Sequence, residues 1–160
     1  MQWADEVDDG EEQAFPPRFL TDGWLRRVEE QLQHLQVRDP TVASGVYEVV
    51  IERFPDLSFI FSVEHGRILG ITRGHDPAAR SATKIDPARL WELLIDSVRP
   101  IVGHQAADHD AVWVLRRLAP PHRALQRLTQ WNPEVGDEPP GRDRPARGVA
   151  VVLGLGRLRA

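Results

Sequence analysis

The chain of 160 residues contains no cysteine, and this absence excludes several kinds of chemistry. Disulfide bridges, thiolate metal sites and a cysteine nucleophile all require that residue. Lysine is almost absent as well, because Lys84 stands alone beside 19 arginines, a bias typical of a GC-rich bacterial genome. No apolar run approaches the roughly 20 residues that a membrane-spanning helix needs. We therefore expect no membrane span.

Positive charge is also scarce at the N-terminus, where the first basic residue is Arg18. A secretory signal would begin with basic residues, so the sequence predicts a cytoplasmic protein. The formal net charge of −4 argues against general nucleic-acid binding, which usually needs an electropositive surface. We expect no nucleic-acid partner.

The composition predicts one folded domain with polar ends, since 41% of the residues are hydrophobic and 28% are charged. Residues 1–17 form an acidic segment that we expect to be a flexible leader. Residues 18–131 contain the domain. Residues 132–147 are rich in proline, glycine and arginine and predict a linker, whereas residues 148–160 form a hydrophobic, strand-like C-terminal segment.

The domain begins with an amphipathic helix. Thr21 and Asp22 can cap its first turn, because their short side chains accept hydrogen bonds from unpaired amide groups. The apolar residues that follow Phe19 are spaced three and four apart, as one face of a helix requires; they are Leu20, Trp24, Leu25, Val28, Leu32 and Leu35.

Three strand-like runs come next, from Val46 to Phe54, from Leu57 to Glu64 and from Arg67 to Arg73. The connections between them are of hairpin length, so the pattern predicts an antiparallel meander. In the third run, Gly70 indicates a bulge or the close approach of another group.

The second half of the domain predicts further strands and helices. Ser81 to Ile85 can return as a fourth strand, and Asp86-Pro87 opens an amphipathic helix. The β-branched and aromatic run from Val112 to Leu115 favours a fifth strand. Pro120-Pro121 can then open a final helix that continues to Trp131. The predicted fold class is therefore α+β, with a twisted, mainly antiparallel five-stranded sheet covered by helices.

Residues 19–131 resemble the SCP2-like (sterol carrier protein 2) superfamily. The likeness is carried by three segments: Phe19-Leu20-Thr21-Asp22-Gly23-Trp24-Leu25, His65-Gly66-Arg67-Ile68-Leu69-Gly70-Ile71, and Ser81-Ala82-Thr83-Lys84-Ile85-Asp86. The resemblance implies an SCP2-like layout and an apolar cavity between sheet and helices that binds a lipid or another apolar small molecule, in bacterial lipid or secondary metabolism. The implied lining consists of apolar residues from facing elements: Trp24, Val28, Phe59, Phe61, Trp91, Leu94 and Ile95. An ordinary packed core needs the same residues.

Two other functions stay open. The cavity could serve a cofactor-independent enzyme of the cyclase or isomerase type, with His75, His104, Asp108 or His109 as proton donor or acceptor. His104 and Asp108 are four residues apart but lack a third ligand, so we expect no metal site and no cofactor. Residues 148–160 could instead bind a protein partner or form a homodimer. A buried ionisable pair facing the cavity would favour the enzyme, whereas a uniformly apolar cavity would favour the carrier.

Overall fold

A computed structural model of the chain describes residues 16–96 and 111–140. This part of the chain contains four strands and four helices, in the order α1 (Asp22–Leu35), β1 (Gly45–Ile51), β2 (Phe59–Glu64), β3 (Arg67–Arg73), β4 (Ser81–Ile85), α2 (Pro87–Trp91), α3 (Ala111–Leu118) and α4 (His122–Leu128). A π-helical turn, Glu92–Asp96, extends α2. Single 3₁₀ turns lie at Pro55–Leu57 and Pro133–Val135. None of the described helices is long and apolar enough to span a membrane.

Side-chain caps fix the starts of α1 and α2, as the sequence predicted. Thr21 precedes α1, and its hydroxyl accepts a hydrogen bond from the amide of Trp24. Asp86 does the same for Arg89 at the start of α2, where Pro87 occupies the first helical position. Each cap satisfies an amide group that the first helical turn leaves without a partner.

The four described strands form one mixed sheet in the order β3-β2-β1-β4. The predicted meander is confirmed, because β1 pairs antiparallel with β2 and β2 pairs antiparallel with β3. The fourth strand is also confirmed, but it pairs parallel with β1. The sheet is therefore less antiparallel than the sequence predicted.

The irregularity expected near Gly70 is present in β3. The register between β2 and β3 shifts after Ser62, opposite the stretch that contains Gly70. A Cβ atom at Gly70 would lie 3.0 Å from a carboxylate oxygen of Glu29 on α1. The side chain of Gln33, one turn farther along α1, donates a hydrogen bond to the carbonyl of Leu69. Helix α1 thus lies along β3 and supplies partners for its backbone groups.

The predicted fifth strand is wrong, because Val112 to Leu115 lies within helix α3. The run is apolar and β-branched, but a four-residue apolar run fits a buried strand and a buried helix equally well. Arg116 and Arg117 continue the helix to Leu118, which is buried with Leu115 one turn earlier. The packing of this apolar stripe outweighs the intrinsic β-preference of valine and tryptophan.

The folded part extends beyond the predicted end of the domain. Helix α4 ends at Leu128, yet Asn132 and Val135, assigned by sequence to the linker, are both buried. Asn132 donates its side-chain N–H to the carbonyl of Phe19 across 3.1 Å, which ties this segment to the start of the domain. The predicted leader, apart from its last two prolines, and the predicted C-terminal segment at residues 148–160 lie outside the described residues.

Candidate functional site

The interior between sheet and helices is packed with aromatic rings. All seven residues predicted to line a cavity are buried there, and each has an exposed fraction of 4% or less. The ring of Phe19 lies 5.0 Å from that of Trp24 and 5.2 Å from that of Trp91. Trp24 in turn meets Phe59 edge-on. These rings fill most of the space that a ligand would need.

A small void lies within the described part of this interior, with a volume of about 10 Å³. Its lining is entirely apolar and comes from three helices, the π-helical turn after α2, two strands and the residue that follows α3: Trp24, Leu25, Val28, Phe59, Ile71, Leu94, Leu115, Ala119 and Leu125. Four of the seven predicted residues are among them, whereas Phe61, Trp91 and Ile95 are not. The void has about the size of one water molecule, far below the roughly 300 Å³ of a small ligand site. A lipid could enter only by displacing packed side chains.

An ionisable pair with one buried member, Glu48 with the more exposed His75, lies on the other face of the sheet. Tyr47 and Val49 of β1 point into the core, so Glu48 between them points to the opposite face. Glu48 is nevertheless buried, with only 7% of its surface exposed. None of the residues lining the interior void is ionisable. The pair therefore does not face the interior.

The connection between β3 and β4 explains why Glu48 is buried. Strands β3 and β4 both run parallel to β1 and lie at opposite edges of the sheet. Three interstrand spacings separate them, which is about 14 Å. Arg73 ends β3 level with Val49, and Ser81 begins β4 level with Tyr47. Residues 74–80, which we call the strap, must therefore cross the sheet at the level of Glu48.

Hydrogen bonds hold the strap against the sheet. The amide of Arg80 donates to the carbonyl of Val46 at 2.6 Å. Glu48 accepts from the strap through both carboxylate oxygens: Oε1 lies 3.1 Å from the amide nitrogen of Asp76, and Oε2 lies 2.7 Å from Nδ1 of His75. With the carboxylate ionised, Nδ1 is the donor, so the other ring nitrogen of His75 carries the lone pair when the imidazole is neutral.

This arrangement has the two parts of a proton-transfer site. A carboxylate bonded to Nδ1 fixes the tautomer and orientation of an imidazole, and the side chain of His75 is 54% exposed. The sequence singled out His75 but missed Glu48. Within the run Val46 to Ile51, Glu48 occupies a position that alternates with core-facing residues, so the sequence predicts that it faces solvent. It is buried only because the strap covers it, and the sequence does not show where the strap lies.

The remaining predicted catalytic candidates, His104, Asp108 and His109, lie outside the described residues. Among residues 16–96 and 111–140, no group of three or more histidine, aspartate and glutamate side chains is arranged to hold a metal ion.

Strong electrostatic contacts elsewhere join structural elements. Asp39, in the connection between α1 and β1, accepts from the hydroxyl and amide of Thr41 and pairs with Arg117 of α3. The hydrogen bond from the Thr41 side chain is the largest cause that lowers the pKa of Asp39. Arg117 also lies over the ring of Trp113 at 4.6 Å. In the core, burial raises the pKa of Tyr47, whose hydroxyl donates to the carbonyl of Ala43.

A larger open groove lies where the start of the domain meets the segment after α4. Its volume is about 460 Å³, within the range of small-molecule sites. Two tryptophans, Trp91 and Trp131, contribute its aromatic surface. The polar contributions come from Arg18, Gln130 and other residues of the same two segments. No sequence pattern indicates this groove, because it brings Arg18 together with residues more than 100 positions farther along the chain.

The two tryptophans of the groove are held firmly. Their rings meet at 90° with centroids 5.2 Å apart. The indole N–H of Trp91 donates to Asp96, and that of Trp131 donates to the carbonyl of Gly136 at 2.9 Å. Trp91 is only 1% exposed and Trp131 is 9% exposed, so Trp131 supplies most of the indole surface that reaches the groove. A ligand would meet a preorganised surface and would not need to reorder these side chains.

Comparison with known proteins adds no relative. No family model matches the chain, and neither the curated proteins nor the solved structures contain a match. The resemblance to the SCP2-like superfamily therefore stays a prediction.

Proposed function

We propose that this domain binds a small molecule with a flat apolar part, and that it does so in the groove beside Trp91 and Trp131. The observation that carries the proposal is the contrast between two spaces. The interior void holds about 10 Å³, whereas the groove holds about 460 Å³ and reaches two fixed indole rings. The apolar ligand expected from the sequence is retained in the proposal, but its site is moved from the interior to the groove.

Polar groups on the groove give the ligand an orientation as well as a surface. Arg18 and Gln130 lie at its edge, and Thr129 has its hydroxyl oxygen bonded to the indole N–H of Trp24 at 2.7 Å. More of the exposed lining is polar than apolar, so the groove offers polar contacts beside a smaller apolar surface. This pattern favours a ligand with one polar end over a wholly aliphatic chain.

Tryptophan indole signals in a ¹H–¹⁵N NMR spectrum can locate the bound ligand. 2-Naphthoate is a suitable flat probe, and oleate serves as the acyl-chain probe. At roughly 0.3 kcal/mol per non-hydrogen atom, a probe of about 13 such atoms binds with about 4 kcal/mol, or a dissociation constant near 1 mM. We expect naphthoate to shift the signals of Trp91 and Trp131 saturably, to shift that of Trp24 less through its hydrogen bond to Thr129, and to leave that of Trp113 unchanged.

Variants of Gln130 provide a matched control, because its two backbone hydrogen bonds do not depend on its side chain. Gln130→Phe should fill the groove and abolish the shifts, whereas Gln130→Ala should retain them. Shifts at Trp24 produced by oleate, with none at Trp131, would place the ligand in the interior and refute the groove. Absence of any saturable shift with either probe would refute small-molecule binding of this kind.

A second candidate function is proton transfer at His75, favoured by its 2.7 Å contact with the buried Glu48. An imidazole oriented in this way can hydrolyse an activated ester such as p-nitrophenyl acetate. The free ring nitrogen takes a proton from a water molecule as that water attacks the carbonyl carbon, and p-nitrophenolate and acetic acid are released. His75→Ala should remove most of the protein-dependent rate, and Glu48→Gln should lower it. If His34→Ala has the same effect as His75→Ala, the activity belongs to surface histidines in general.

A further inference from the structure

The groove contains a single basic side chain among its described lining residues, and that side chain is held by an unusually well-anchored backbone. Residues 17–19 form a short parallel bridge with Gln130. The amide of Gln130 donates to the carbonyl of Pro17 at 3.0 Å, and the amide of Phe19 donates to the carbonyl of Gln130 at 2.8 Å. Arg18 lies between these two bonds, so its Cα position relative to the groove is fixed.

A third contact fixes the carbonyl side of the same residue. The carbonyl oxygen of Arg18 accepts from both the hydroxyl of Thr21, at 2.6 Å, and the amide of Thr21, at 3.2 Å. The next residue but one, Leu20, is fully buried and has a positive φ of 70°. The chain therefore turns sharply into the core just after Arg18, while the Arg18 side chain stays at the groove.

The charge of Arg18 is not neutralised by the described part of the protein. Arg53, Arg73, Arg89 and Arg117 each form an ion pair with a carboxylate, whereas Arg18, like the exposed Arg26, takes part in no described ion pair. Glu138 also lines the groove, yet it already has an interaction of its own. Arg18 thus brings a guanidinium to the lining of the groove, and an oxyanion is the group that complements its planar set of donors.

From these contacts we infer that the ligand of the groove is an aromatic or other flat apolar anion, whose carboxylate or phosphate is bound by Arg18 while its apolar part lies against Trp131. This inference rests on the proposed function and adds the charge of the ligand to it.

The test compares two probes that differ only in charge, 2-naphthoate and 2-naphthamide, with the intact chain. We expect naphthoate to bind about tenfold more tightly, the usual scale of one charge-assisted hydrogen-bonded contact. Arg18→Ala should remove that difference by weakening naphthoate alone, and Arg18→Lys should keep part of it. The matched control is Arg26→Ala, because Arg26 is exposed on α1 and does not line the groove.

The outcomes separate this inference from the proposed function. If both probes bind equally and Gln130→Phe abolishes both, the groove binds flat molecules but the role of Arg18 is refuted. If Arg26→Ala weakens naphthoate as much as Arg18→Ala does, the effect is general attraction to positive charge, and the inference also fails. If neither probe binds, the inference and the proposed function fall together.

Discussion

The Glu48–His75 pair allows a quantitative test of how the strap is held on the sheet. The Glu48 side chain is 9% exposed and that of His75 is 54% exposed, so the pair lies between a surface ion pair and a buried one. Surface pairs contribute about 0–1 kcal/mol, and a hydrogen bond to a buried charged group contributes about 1.5–3 kcal/mol. Because water can reach the imidazole side, we expect a coupling free energy of about 1 kcal/mol.

A double-mutant cycle with His75→Ala and Glu48→Gln measures that coupling. His75→Ala should destabilise the fold by about 1–2 kcal/mol, since it leaves a buried carboxylate with one partner fewer. Glu48→Gln should cost less, about 0.5–1 kcal/mol, because the amide oxygen can still accept from the backbone of Asp76. The double variant should be less destabilised than the sum of the two by about 1 kcal/mol.

Urea unfolding followed by circular dichroism is the assay, and about 1 kcal/mol corresponds to roughly 0.3–1 M in the midpoint. The exposed pair Arg89 and Glu92, one turn apart with a 3.3 Å contact, provides a control cycle with an expected coupling of about 0.3 kcal/mol. Equal coupling in the two cycles would refute the reasoning, because burial of Glu48 would then add nothing.

Three further perturbations test other parts of the structure. Gly66→Ala should lower the free energy of unfolding in urea by more than ~2 kcal/mol, since φ is +77° and a Cβ would lie 2.5 Å from the carbonyl carbon of Asp39. Gly74→Ala should cost less, because φ is +135° but no atom lies within 4 Å of the added Cβ. A larger loss for Gly74→Ala than for Gly66→Ala would contradict this reasoning. Thr129→Val should lower the free energy of unfolding by about 1–3 kcal/mol, because it leaves the buried indole N–H of Trp24 without its acceptor. Thr72→Val makes the same change at an exposed position and should not destabilise the fold. The folded pKa of Asp39 is lowered below about 3.8, so its stabilising contribution is present above that pH and is lost as the pH falls through the folded value. Asp39→Asn should therefore reduce the acid-induced loss of stability below about pH 4 in thermal melts, and an unchanged acid profile would refute that role.

The parts of the fold that follow from neighbouring residues could be predicted from sequence. Thr21 and Asp86 lie next to the amides that they cap, and Gly70 lies at the irregularity that it permits. The run from Val112 to Leu115 was misassigned because a short apolar segment has no period that separates strand from helix. Its helical state depends on the surface against which Leu115 and Leu118 are buried, and that surface comes from distant parts of the chain.

The candidate sites were less predictable, because both depend on long-range geometry. Glu48 is buried only because the strap crosses the sheet, and the crossing follows from the parallel pairing of β4 with β1. Arg18 and Gln130 are neighbours only through the backbone bridge between the two ends of the domain. Sequence alone does show that His75 lies in a loop between strands, and loops are where functional side chains are often found.

The position of Trp91 gives ligand binding a consequence that differs between groove and interior. Trp91 packs against Phe19 in the core and also lines the groove, so a ligand on its groove side leaves the core contacts intact. Such a ligand binds the folded state alone and should stabilise it by about 2.7 kcal/mol at 100 times its dissociation constant. A ligand in the interior must instead separate rings such as Trp24 and Phe59, and would speed hydrogen exchange of β2 amides while it binds. If naphthoate binds in the groove, hydrogen exchange of the β2 amides should slow at saturating naphthoate. Faster exchange would indicate that the ligand binds in the interior.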